Sequence, residues 1–132
     1  MSKLFFDGAC RGNGTRFARC AIGFVIKTDG MVLARVGRRA PDAQTNNQAE
    51  YAALIAGLAR ARALGVQRLE CCGDSLLVIN QMKGTMKVEN TKLRALRDEG
   101  RRLAAQFERV TYTWIRRELN ADADAMANLG MD

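Results

Sequence analysis

The chain has no histidine among its 132 residues. That absence removes every mechanism built on an imidazole: Ser-His-Asp hydrolysis, Cys-His proteolysis, His-ligated zinc and His proton relays. Twelve glycines and one proline exclude collagen-like and proline-rich architectures. The longest apolar stretch, Tyr51 to Ala59, is far too short to cross a bilayer, so no membrane association is expected. The opening MSKLFFDGACRGNG has neither a long apolar core nor a small-residue cleavage site, and no secretion signal is expected there. Cysteine is sparse: Cys10, Cys20, Cys71 and Cys72, with no C-x-x-C pair. Neither a zinc ribbon nor a thioredoxin-like site is therefore supported. All four are expected to be reduced thiols of a cytoplasmic protein, most of them small core residues, with neighbours 71 and 72 on opposite faces of a strand.

The remainder is an ordinary globular composition, 48% apolar and 27% charged. A chain of this length fits a single domain over residues 1–132 and buries roughly two-thirds of its unfolded surface without metal or disulfide staples. The charge is not ordinary. Lys plus Arg is 21 against 14 acids, a formal +7, and sixteen of the cations are arginine. Arginine's planar fork holds phosphate oxygens with paired hydrogen bonds, which suggests a polyanionic partner. A basic surface without any partner explains the charge equally well.

Along the chain, Lys3 to Ala9 reads as a strand ending in the glycine-rich turn Arg11-Gly12-Asn13-Gly14. Apolar runs over Arg19–Lys27 and Met31–Arg38 flank Asp29-Gly30, a strong hairpin signal. The period then changes. Ala53, Leu54, Gly57, Leu58, Ala61 and Leu64 recur at three- and four-residue steps, predicting a helix over 46–64 with Thr45 or Asn46 as its cap and Gly65 closing it. A strand over 68–72, a helix opened by Asp74 and Ser75, a loop over 83–90, a helix over 91–107, a strand over 109–115 and a helix over 120–129 follow. The order βββαβααβα implies an α/β domain with a mixed sheet.

The acids fall at informative places. Asp7 lies inside the first strand amid Leu4, Phe5 and Phe6, and an unpaired carboxylate there is costly. Glu50 lies near the start of the long helix, Asp74 closes the fourth strand, and Asp122 and Asp124 open the last helix. Taken singly, Asp74 is explained as a helix cap, Asp122 as a first-turn acid and Glu50 as a surface residue. Taken together, they collect at the carboxyl ends of strands and adjoining helix starts, where ligand chemistry gathers in open α/β sheets. Crowded carboxylates repel, and a hard divalent cation such as Mg²⁺ neutralises them with no need of His or Cys.

Four segments in order make the sequence resemble type 1 ribonuclease H: FDGACRGNG (6–14), TNNQAEYAAL (45–54), GDSLLVINQM (73–82) and RRELNADADAMAN (116–128). The resemblance covers nearly the whole chain. It implies a ribonuclease H-like fold, a five-stranded mixed sheet with strands 1 to 3 antiparallel and strands 4 and 5 parallel to strand 1, flanked by helices. It implies metal ligands at Asp7, Glu50, Asp74 and Asp124, where the step from Asn120 selects Asp124 over Asp122. The implied activity is endonucleolytic hydrolysis of the RNA strand of RNA/DNA hybrids, leaving 5′-phosphate and 3′-hydroxyl ends, by a monomer with no obligatory protein partner. Two Mg²⁺ ions, or Mn²⁺ in their place, about 3.5–4 Å apart would activate water and stabilise the leaving oxygen. In that scheme Asp7 bridges the ions, Glu50 and Asp74 hold the leaving-group side and Asp124 the water side. Backbone groups of Cys10, Arg11, Gly12, Asn13 and Gly14, with the side chains of Asn13, Asn46 and Asn47, resemble readers of the hybrid's minor groove. Thr45 resembles part of a pocket for a DNA-strand phosphate. Lys83, Lys87, Arg94 and Arg101 extend a phosphate track or simply form a solvated helix face.

The chain also departs from the familiar bacterial pattern. The active-site loop histidine is missing, and Arg117 matches an arginine of handle-less, archaeal-type relatives. Arginine cannot serve as a general base, but it can stabilise phosphate charge. The basic handle insertion, an N-terminal hybrid-binding domain and a long C-terminal tail are not expected. Leu76 stands where many relatives have a polar residue. The competing functions are a non-catalytic hybrid-binding domain of the same fold, or another nuclease of the superfamily. A D-x-E in the first strand, usual in 3′–5′ exonucleases of that superfamily, is absent at Asp7-Gly8-Ala9.

Overall fold

The computed structural model describes every residue, Met1–Asp132. Its elements are β1 (Ser2–Arg11), β2 (Arg19–Thr28), β3 (Met31–Arg39), α1 (Asn46–Ala63), β4 (Arg68–Gly73), α2 (Leu76–Lys83), α3 (Thr91–Ala104), β5 (Arg109–Trp114), a 3₁₀ turn (Arg117–Asn120) and α4 (Ala121–Met131). One sheet has the order β3-β2-β1-β4-β5. β1, β2 and β3 are antiparallel, whereas β4 runs parallel to β1 and β5 parallel to β4. This is the expected five-stranded mixed sheet. No helix is long and apolar enough to cross a membrane.

Alternation along β1 sends Leu4 and Phe6 into the main core, where they meet Phe24, Tyr51, Leu54 and Leu58. α1 covers that face and α3 packs behind it, while α4 covers β2 and β3 on the other. With both faces covered, Cys20 to Ile26 of β2 are buried without a break. Helix starts follow from side-chain chemistry. Thr45 caps α1 by accepting from the Gln48 N–H at 3.2 Å, Ser75 caps α2, and Asn90 caps α3. The cap of α2 is thus Ser75 rather than Asp74, which leaves the Asp74 carboxylate available.

Two expectations are corrected. α3 ends at Ala104, not Phe107, because the Gln106 and Phe107 N–H groups bond the Leu103 and Ala104 carbonyls and tighten the chain into a turn. Phe107 is nevertheless buried in the core. Cys10 and Cys20 are not free thiols but a disulfide. They stand directly opposite each other in the β1–β2 register, with Cα atoms 4.1 Å apart. A position-by-position reading of the cysteines does not include that register. Cys71 and Cys72 are free and buried, as expected.

Candidate active site

The site lies where β4 leaves the sheet. Phe6 is the last β1 residue paired with β4, opposite Gly73, so Asp7 projects just beyond the shared ladder and Asp74 follows at the end of β4. Two glycines let the neighbouring helices close on this point. A Cβ on Gly8 would lie 2.3 Å from the Ala49 carbonyl carbon, so α1 approaches β1 backbone to backbone and delivers Glu50. A Cβ on Gly23, the β2 partner of Asp7, would lie 2.2 Å from the Ala127 nitrogen, so α4 seats on β2 and delivers Asp124.

Carboxylate oxygens of Asp7, Glu50 and Asp74 lie within 4.8 Å of one another. Asp124 and Arg117 line the same cavity of about 310 Å³, together with Cys10, Asn46, Asn47 and Ser75. Asp122 instead points outward and pairs with Lys27 at 3.4 Å. Two of the three inner acids are oriented, one by the backbone and one by an amide. Glu50 Oε1 accepts from the Gly8 N–H at 2.9 Å, and Asp74 Oδ2 accepts from Asn120 Nδ2 at 3.0 Å. The same Nδ2 donates to the Phe6 carbonyl at 2.9 Å.

The electrostatics are unfavourable as they stand. Burial pushes the Asp7 carboxyl up to about 7, with the neighbouring Glu50 opposing the shift and Asp124 and Asp74 reinforcing it. Glu50 is likewise driven well above the usual carboxylate range, first by burial and then by Asp7. Its Oε2 is buried without any partner. An orphaned carboxylate oxygen, two acids resisting ionisation and an all-oxygen donor set are the signature a hard divalent cation resolves. The residues fit such an ion.

A second polar pocket of about 410 Å³ adjoins the first and shares Asn46 and Asn47 with it, adding Asn13, Thr45, Gln48 and Asn90. The glycine-rich turn is locked against the start of α1. The Asn46 N–H donates to Asn13 Oδ1 at 2.7 Å, the Cys10 N–H donates to Asn46 Oδ1 at 3.1 Å, and the Gly14 N–H reaches the Gln44 carbonyl at 2.7 Å. Both asparagines spend their oxygens internally, so their NH₂ groups are the ends left to face a ligand. Arg11 and Gly12 are exposed on this turn. Leu76 is exposed on α2, and Arg94 is engaged with the Val88 carbonyl at 3.2 Å rather than projecting freely.

In the sequence Asn120 is only a spacing mark before Asp124; in the structure it holds Asp74. Nor does the sequence signal the buried hydrogen bond from the Tyr51 hydroxyl to Gln81 Oε1 at 2.6 Å, which ties the Glu50 helix to the helix after Asp74. Polar residues spaced as in any helix carry no local signal of such contacts.

The sheet order and an acidic cluster at its strand ends define a ribonuclease H-like α/β domain. Residues 5–130 match a reverse-transcriptase-like family. The chain is 40% identical over 129 residues to ribonuclease HI of Halobacterium salinarum, covering 97% of this chain and 63% of that protein. The crystal structure of RNase H1 from that archaeon superposes with a TM-score of 0.93 at 39% identity, covering 99% of this chain and 97% of the other. An LC11-RNase H1 crystallised in complex with an RNA/DNA hybrid superposes at 0.91 with 29% identity, covering 100% and 97%. The chain belongs to the type 1 ribonuclease H family. It spans 34% of the length of similar mycobacterial proteins, at 39% identity. Only residues 84–90 separate α2 from α3, with no helix inserted there.

Proposed function

We propose that this chain is an endoribonuclease that hydrolyses the RNA strand of RNA/DNA hybrids with divalent metal, preferably Mg²⁺. The observation that carries this is the convergence of Asp7, Glu50 and Asp74 from three separate elements on one point, with Asp124 and Arg117 on the same cavity wall. The hybrid-bound relative of the same fold supports the choice of substrate.

Asp7, Glu50 and Asp74 hold the metal in this reading, and Asp124 completes the set for a pair of ions. Bound there, divalent ions supply Lewis-acid stabilisation of phosphate charge and lower the pKa of a water. The chain's own residues do the rest. Gly8 N–H and Asn120 Nδ2 hold Glu50 and Asp74 in fixed orientations, so little reorganisation accompanies metal entry. Arg117 faces the scissile phosphate and offsets its charge. Asp124, at the cavity edge, accepts a hydrogen bond from the attacking water and directs its lone pair. Water oxygen joins phosphorus and releases a proton to solvent, the bond to O3′ breaks, and O3′ takes up a proton from solvent, so the products are a 5′-phosphate and a 3′-hydroxyl.

Selectivity comes from the second pocket. The NH₂ groups of Asn13 and Asn46, with Asn47 and the backbone of Cys10 to Gly14, read 2′-hydroxyls and base edges in the minor groove, and Thr45 takes a DNA-strand phosphate. The test is incubation with RNA/DNA, RNA/RNA, DNA/DNA and single-stranded RNA, each with Mg²⁺, Mn²⁺ or EDTA. Cutting of hybrid RNA alone is expected, abolished by EDTA and by Asp74→Asn. Hybrid binding without cutting would favour a non-catalytic binding domain, and cutting in EDTA would overturn the mechanism.

A further inference from the structure

Trp114 is the only tryptophan of the chain and ends β5. It stands beside Gly73 in the parallel β4–β5 ladder, and the next residue, Ile115, donates its N–H to the Gly73 carbonyl at 2.9 Å. One step further along β4, the pairing passes from backbone to side chain: the Trp114 indole Nε1–H donates to the main-chain carbonyl of Asp74 at 3.1 Å.

That carbonyl belongs to neither neighbouring element. The helical ladder of α2 begins at the Ser75 carbonyl, which accepts from the Ile79 N–H at 3.1 Å. The β4 ladder ends at Gly73. The peptide joining Asp74 to Ser75 is thus a hinge between strand and helix, and the indole is what fixes its oxygen. The Asp74 carboxylate is restrained from the other side by Asn120. β5 and the 3₁₀ turn after it grip Asp74 at two points, one on the backbone and one on the side chain. Trp114 is 47% exposed. Its place is therefore not explained by filling the core, and an N–H donor is what the site takes from it.

We infer that Trp114 is a positioning residue of the active site: by fixing the Asp74 peptide it sets the direction in which the Asp74 carboxylate meets the metal. The inference rests on the proposed metal role of Asp74. Freed from the indole, the hinge peptide rotates and the carboxylate samples directions that do not converge with Asp7 and Glu50.

Trp114→Phe keeps an aromatic ring and removes only the N–H. Calorimetric titration of Mn²⁺ into substrate-free protein is expected to show affinity weakened about tenfold, the scale of lost ligand-orienting contacts. At saturating metal, KM for hybrid stays within twofold of wild type, and the melting temperature shifts by only a few degrees. Trp114 is also its own reporter: indole emission of the wild type is expected to change on Mn²⁺ addition, and to stay constant in Asp74→Asn. A Trp114→Phe protein with wild-type Mn²⁺ affinity would overturn the assignment while leaving the metal site standing. Wild-type protein that binds no Mn²⁺ would overturn both. Should the variant fail to fold, wild-type emission indifferent to saturating Mn²⁺ overturns the assignment by itself.

Discussion

Asn120 Nδ2 bridges Asp74 Oδ2 and the Phe6 carbonyl, at 3.0 and 2.9 Å, from a residue only 1% exposed. One amide group thereby ties the ends of β1 and β4 together immediately behind the acids. Asn120→Ala leaves the Phe6 carbonyl and one Asp74 oxygen without this donor, a loss of about 1–3 kcal/mol. Denaturant melts should show that loss, together with a fall in kcat exceeding any rise in KM. An unchanged kcat would remove Asn120 from the machinery.

The pH dependence of the metal-free protein follows from Asp7 and Glu50. Both carboxyls are raised in the folded state, so between the ordinary Asp value of 3.8 and about 7 the folded chain binds more protons than the unfolded one. Stability in EDTA is therefore greatest at the acid end of that window and falls as pH rises through it. Melting temperatures at pH 5 and pH 8 in EDTA should differ in that direction. Asp7→Asn should flatten the slope and raise stability at pH 8 while abolishing hydrolysis. A melting temperature that rises with pH would contradict the crowding of these acids.

Gly8 should tolerate no side chain. A Cβ there would lie 2.3 Å from the Ala49 carbonyl carbon and 2.4 Å from the Glu50 nitrogen, both of them backbone. Gly8→Ala must push α1 off β1, at about 3 kcal/mol or more, and carry Glu50 away from Asp7. Reduced stability with hydrolysis lost at temperatures where the variant is still folded is the expected result. Gly14→Ala provides the contrast in space alone, since nothing lies within 4 Å of a Cβ there, although its φ of +77° is one that alanine adopts with strain.

Cys10 and Cys20 close a short loop, ten positions apart, that carries the glycine-rich turn. Cross-linking a loop of this size contributes about 3 kcal/mol through the unfolded chain. Dithiothreitol should lower the denaturation midpoint accordingly, and Cys10→Ser with Cys20→Ser should reproduce the shift and abolish its dependence on reductant. Because the Cys10 N–H anchors Asn46, KM for hybrid should rise more than kcat falls. Titration of four free thiols in unreduced protein would refute the bond.

Much of this molecule is written in local chemistry. The hairpin at Asp29-Gly30, the Thr45 cap, the period of α1 and the element order follow from turn residues and hydrophobic spacing acting over a few positions. The misplaced end of α3 is local too, a matter of whether the last carbonyls bond across three residues or four. Asp7 stands out by itself, since a carboxylate inside an apolar strand has no cheap explanation, and Glu50, Asp74 and the Asp122/Asp124 pair gain meaning only together, at element ends; the choice of Asp124 over Asp122 comes from the family resemblance.

Distances across the chain are another matter. The disulfide needed the register of β1 against β2, and the isolation of Asp122 from the cavity needed Lys27, 95 residues away. The grips of Asn120 and Trp114 on Asp74 join positions 46 and 40 residues apart. Residue type and spacing decide which elements form. Which polar atoms meet is decided only when Gly8 and Gly23 let two helices close on the sheet, because a hydrogen bond depends on separations of a fraction of an ångström that only packing establishes.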